Sequence, residues 1–117
     1  KFRLWLENKM IEWEQMKKSQ FRFHFFDADS DKWIWMQFIG LNDKNGKLIF
    51  EGDIAKITFN QFPVGLLEKI GVMKWWAEEA KFSFQFQAEE WASFGDVLGV
   101  EVVGNIYENP ELLTPKN

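Results

Sequence analysis

At 117 residues the chain is sized for a single domain, able to bury roughly 65% of its unfolded surface without covalent staples. It contains no cysteine, which excludes disulfides and thiolate metal sites and fits a reducing compartment. A net charge of −4 weighs against a general nucleic-acid binder, while 13 Phe, 7 Trp and 1 Tyr, 18% of the residues, supply large rings for a small core. No apolar run reaches the roughly 18 residues of a spanning helix and no signal-peptide pattern is present, so neither a transmembrane nor an exported protein is expected. The chain opens at Lys1, which implies a residue or two before it.

Phe2 to Leu6 alternates as a strand does, with Phe2, Leu4 and Leu6 on one side. Glu7-Asn8-Lys9 can turn it back into Met10 to Trp13; Leu6, Met10 and Trp13 also fall at helical spacing, but a hairpin is preferred, with a helical turn at Glu14 to Lys18. Phe21 to Phe26 predicts a strand, Asp27 to Asp31 a loop, and Trp33 to Ile39 another strand.

Gln37 to Ile54 is the most legible stretch. Asn42, Asp43, Asn45 and Gly46 accept left-handed backbone angles or bond to their own backbone, and Asn45-Gly46 is the pair favoured in two-residue hairpin loops. Glu51-Gly52-Asp53 makes a corner, after which Ile54, Ile57 and Phe59 begin a new strand. A hairpin followed by a corner is how small, strongly bent barrels are built. Ile70 to Trp76 and Lys81 to Gln87 predict two more strands, the latter half-buried with Phe82, Phe84 and Phe86 on one face and Ser83, Gln85 and Gln87 on the other. Glu89 to Leu98 is expected to include a short helix, and Val100 to Val103 to close the sheet. From Asn109 onward, with Pro110 and Pro115, a tail should run over the surface and fray.

The sites of candidate chemistry have simpler explanations. Asp27, Asp29 and Asp31 have the spacing that opens a calcium loop, but Lys32 stands where glycine should turn it and Phe38 where glutamate should close it. Glu51 and Asp53 can be paired as acid and base, yet turn geometry accounts for both. His24 lacks any partner for zinc and reads as a strand residue. Gly40, Gly46 and Gly52 are too widely spaced for a phosphate loop. No nucleophile motif is present, so no enzyme, metal or cofactor is expected. The aromatic surplus is the stronger lead. Trp33 and Trp35 share one strand face, and Trp75 and Trp76 occupy opposite faces of another, so part of this indole surface is expected to be exposed for stacking or docking. Lys32, Lys74 and Lys81 lie nearby, among Glu78, Glu79, Glu89 and Glu90.

Gly40-Leu41, Asp43-Lys44-Asn45-Gly46-Lys47, Glu51-Gly52-Asp53-Ile54 and Gly104-Asn105-Ile106-Tyr107-Glu108-Asn109-Pro110 together resemble the YopX family of phage and prophage proteins, as does the opening Lys1-Phe2-Arg3 followed by a tryptophan. The resemblance covers both ends and the middle and is weakest over Met10 to Trp35 and Asn60 to Gln87. It implies a bent, largely antiparallel fold with an SH3-like barrel in its C-terminal part, and no activity. The chain departs from the family pattern in its Trp- and Phe-rich middle. The expected protein is therefore all-β: an N-terminal β element over 1–36, an SH3-like barrel over 37–113 and a tail over 114–117. It should act in the bacterial host cytoplasm as a non-enzymatic interaction module, binding a protein partner or its own copies through Trp33, Trp35, Trp75 and Trp76 and open strand edges. The alternative is a barrel that binds single-stranded nucleic acid, whose affinity would fall steeply with salt.

Overall fold

The computed structural model describes residues 1–6, 9–18, 33–61, 63–86, 90–92 and 97–113. The strand expected at Phe21 to Phe26, His24, and the loop bearing Asp27, Asp29 and Asp31 lie outside them. The described elements are strands β1 (Phe2–Leu6), β2 (Lys9–Ile11), β3 (Trp33–Asn42), β4 (Leu48–Phe50), β5 (Asp53–Gln61), β6 (Gly65–Trp76), β7 (Lys81–Gln85), β8 (Trp91–Ala92) and β9 (Gly99–Asn105), with helix α1 (Trp13–Lys18) and a 3-10 helix at Pro110–Leu113. All pairings among the described residues are antiparallel. They make a four-stranded sheet in the order β2-β1-β3-β4 and a five-stranded sheet in the order β8-β7-β6-β5-β9.

The N-terminal hairpin forms as preferred, with Trp5 opposite Met10, but Trp13 opens α1 instead of ending the strand. The helix begins there because the Gln15 side chain accepts the Glu12 N–H at 3.1 Å, one half of a capping box. Leu4 and Ile11 are buried on the face that Trp13 packs against.

The main core belongs to the larger sheet. Ala55 and Ile57 of β5, Met73 of β6 and Phe84 of β7 are fully buried, with Val100 and Val102 of β9 and Ile49 of β4 beside them. The registers Ala55–Val102, Ile57–Val100 and Met73–Phe84 put these residues on one face, as period-two alternation requires.

Three expectations change. The β3–β4 connection is not a two-residue Asn45-Gly46 loop. Asp43 and Lys47 bond across a three-residue turn, in which the Gly46 N–H reaches Asp43 O at 3.0 Å and Gly46 takes φ 81°. This is a turn closed by a left-handed glycine bulge, and the Asp43 side chain selects it by accepting the Asn45 and Lys47 N–H groups. β7 is not half-buried: Ser83 is as fully buried as Phe84, and its face also carries the indoles of Trp76 and Trp91, stacked at 4.9 Å and 6°. Within Glu89 to Leu98, Trp91–Ala92 are a short strand paired with β7, and residues 93–96 of the span where a short helix is expected lie outside the described residues. The segment from Asn109 is not a fraying tail over its described length, because Asn109 is bonded into a turn and Pro110–Leu113 are helical.

Candidate functional site

The two sheets meet where Arg3, Asp53, Gly52 and Tyr107 converge. Alternation along β1 turns Arg3 toward the larger sheet, and Arg3 is only 5% exposed. Its Nη2 donates to Asp53 Oδ1 at 2.6 Å and to Met36 Sδ at 3.4 Å, and its guanidinium lies 4.6 Å from the Phe50 ring centroid. Asp53 Oδ2 accepts the Phe50 N–H at 2.8 Å, so both carboxylate oxygens are engaged. Burial pushes the Asp53 carboxyl up, against the opposing pull of Arg3 and the Phe50 N–H. Asp53 is thus a structural counter-ion, its two carboxylate oxygens taken up by Arg3 and by the backbone of its own corner, whereas acid–base work needs a free carboxyl.

Gly52 makes the corner possible. At φ 89° it occupies the left-handed region, and a Cβ there would lie 3.6 Å from the Tyr107 ring. Its N–H donates to Met73 O at 2.8 Å and its C=O accepts the Ile106 N–H at 3.0 Å, which ties the corner to β6 and to the turn after β9. That turn is held by its own asparagines. Asn105 Oδ1 accepts the N–H groups of Tyr107 and Glu108, Asn105 Nδ2 donates to Glu108 Oε1 at 2.8 Å, and Asn109 Oδ1 accepts the Asn105 N–H. A Cβ at Gly104 would come 2.5 Å from Asn109 Oδ1, so only glycine lets the turn close. The turn projects Tyr107 onto Trp5, where the rings stack at 5.7 Å and 24°. Burial, then the Glu51 charge, push the Tyr107 hydroxyl up, with Arg3 opposing. The opening segment, the Glu51–Ile54 corner and the Gly104–Pro110 turn, far apart in sequence, therefore build one junction.

Asp43 makes a second tie. Beyond closing its own turn, its Oδ2 accepts the buried Val102 N–H at 2.9 Å, and Lys44 N–H donates to Val100 O at 3.0 Å. These bonds cover the free edge of β9. Burial pushes the Asp43 carboxyl up, but the N–H groups of Val102, Lys47 and Asn45, with the Lys47 charge, outweigh it and hold the group below the ordinary carboxylate value. Sequence alone marked Asp43 as a turn former and passed over Arg3 and Tyr107. The available signal was a cation inside an apolar strand and an acid beside buried Ile54, two polar groups that need each other.

Above the junction lies an open groove of about 300 Å³, bounded by Ile34, Trp35 and Met36 of β3, Met73 and Lys74 of β6, the corner Glu51-Gly52, and Ile106-Tyr107. Trp35 is 42% exposed although its ring packs edge-on against Phe2 at 6.3 Å. Trp75 is 49% exposed at the end of the core face, resting edge-on against Phe82 at 5.1 Å. Trp76 is turned to the opposite face, in the stack with Trp91 and under Lys81 Nζ at 5.6 Å. Trp33 lies in β3 two positions before Trp35, opposite Leu6. Trp35, Trp75 and Trp76 are therefore spread over different faces instead of forming one patch, with Trp35 at the groove and Trp75 on the strand beside it. Among the described residues no cluster of His, Asp or Glu is arranged to hold a metal, and no helix is long and apolar enough to cross a membrane.

The family model described as YopX protein matches residues 1–114. No curated protein matches the chain.

Proposed function

Since the chain belongs to the YopX family, we propose that it is a phage- or prophage-encoded, non-enzymatic module that binds a protein partner in the bacterial host cytoplasm, its C-terminal strands curled as an SH3-like barrel. The observation that carries this reading is the groove over the sheet junction. It is apolar at Ile34, Trp35, Met73 and Ile106 and carries one charge of each sign at its rim, Lys74 and Glu51. A rigid base with an exposed indole at its lip and a few polar groups suits an apolar side chain flanked by polar backbone, the usual anchor of a protein interface. Trp75, with half its surface in solvent, is a second exposed indole, one position beyond Lys74 on β6.

The test is affinity capture from host lysate with the wild-type chain, Trp35→Ala and Trp75→Ala, with and without nuclease. A captured protein that survives nuclease and is lost with either substitution supports the reading. Capture that vanishes with nuclease, and weakens steeply with salt, would replace it with binding of single-stranded nucleic acid. Capture indifferent to both substitutions would remove the groove from the function.

A further inference from the structure

Strands β5 and β6 outrun their neighbours. β9 stops pairing with β5 at Thr58, and β7 stops pairing with β6 at Val72, while β5 and β6 remain paired from Ile54–Val72 out to Gln61–Gly65. A two-stranded ribbon results. On its β6 side, no described residue bonds the outward N–H and C=O groups between Gly65 and Gly71. Phe86 does not continue the ladder; its N–H donates to Glu90 O, and its ring lies across Gly71, where a Cβ would come within 2.9 Å of it. This edge, unpaired among the described residues, is also apolar: Val64, Leu66 and Ile70 are 71%, 68% and 37% exposed.

We propose that this edge pairs antiparallel with the same edge of a second copy of the chain, about a two-fold axis at Leu67. An unpaired edge is completed by an extended strand, and a two-fold makes one edge its own complement. In an antiparallel ladder, residues directly opposite are both bonded or both non-bonded, so the axis must pass where one residue faces its own copy. The charges then select the register. An axis at Glu68 or Lys69 would set like charges directly opposite, which is destabilising. An axis nearer Val72 collides with β7, and one at Leu66 pairs a shorter segment. With the axis at Leu67, Leu67 faces Leu67, Leu66 faces Glu68, Lys69 faces Gly65 and Ile70 faces Val64. No like charges meet, and two apolar residues are covered at the end of each strand. The contact involves neither the groove nor Trp75, so it stands or falls apart from the proposed partner site.

The test exploits a chain without cysteine. Sedimentation across a concentration series should show a weak, reversible dimer, and Trp75→Ala should leave it unchanged. Oxidation of Leu67→Cys should trap a disulfide dimer, because the two side chains face each other across the axis. Lys69→Cys should not cross-link, because its copies are separated by four residues of strand, about 13 Å. Leu66→Glu, on an exposed position, should weaken the dimer about tenfold by facing Glu68, and Leu66→Lys should strengthen it. A monomer at every concentration, or cross-linking at Lys69→Cys equal to that at Leu67→Cys, would overturn the proposal.

Discussion

The core of the larger sheet and the junction between the sheets are both dry, but they are held by different forces. In the core, Phe84, Met73, Ile57 and Ala55 meet through apolar atoms alone, and each contributes by leaving water. At the junction, Arg3 and Asp53 are as buried as the core residues, yet each tolerates burial only because the other is 2.6 Å away. The difference teaches that burial alone does not say how a region will fail. A truncated core leaves a cavity, whereas a broken junction leaves a charge.

The sharpest way to separate the two is rescue. Phe84→Ala and Arg3→Met should each cost about 3–5 kcal/mol, read as shifts of the urea midpoint at constant slope. Adding Asp53→Asn to Arg3→Met should recover much of the loss, since it removes the stranded charge and keeps an acceptor for the Phe50 N–H. No change at a distant site should rescue Phe84→Ala. A double variant no more stable than Arg3→Met alone would sink the electrostatic account of the junction. Asp43→Ala should cost about 2 kcal/mol, because it orphans the buried Val102 N–H.

Asp43 also gives the comparison a pH axis. Its folded pKa is lowered, so its contribution to stability is complete above the ordinary value of 3.8 and is lost as pH falls through the lower folded value. Acid titration of stability should therefore be flatter in Asp43→Asn than in the wild type, between roughly pH 5 and 2. Trp76→Ala should cost about 2 kcal/mol by removing the stack on Trp91. Trp75→Ala comes last, at about 1 kcal/mol, because half of that ring already lies in solvent. Equal losses at Trp75 and Trp76 would mean that Trp75 is core and not surface.

The core was readable in advance because hydrophobic alternation is a local signal: Phe82 and Phe84, and the β-branched run from Ile54, mark strands whatever surrounds them. The hairpin and the corner were readable from Gly46 and Gly52, whose positive φ values suit few other residues. The junction was not, because nothing near Arg3 announces that its partner lies at Asp53, and nothing near Asp43 announces Val102. Sequence patterns report neighbours along the chain, and these bonds join residues that become neighbours only in the fold. Ser83 shows the same limit from the other side: alternation assigns it to solvent, and the Trp76–Trp91 face leaves it fully buried, its Oγ without a hydrogen-bond partner. Of the indoles, sequence placed Trp75 and Trp76 on opposite faces but could not say which one would be covered, since Trp91 approaches through β8.

The ties at the junction also set an order of events at the ribosome. Arg3 must wait for Asp53, 50 positions later, Asp43 must wait for Val102, 59 positions later, and Trp5 must wait for the ring of Tyr107. Contacts of such long range slow folding, because loop-closure entropy is spent before they form. The first strand can thus pair with β3 once that strand has been made, but a nascent chain stopped before Asn105 would still lack the turn that lays Tyr107 over Trp5.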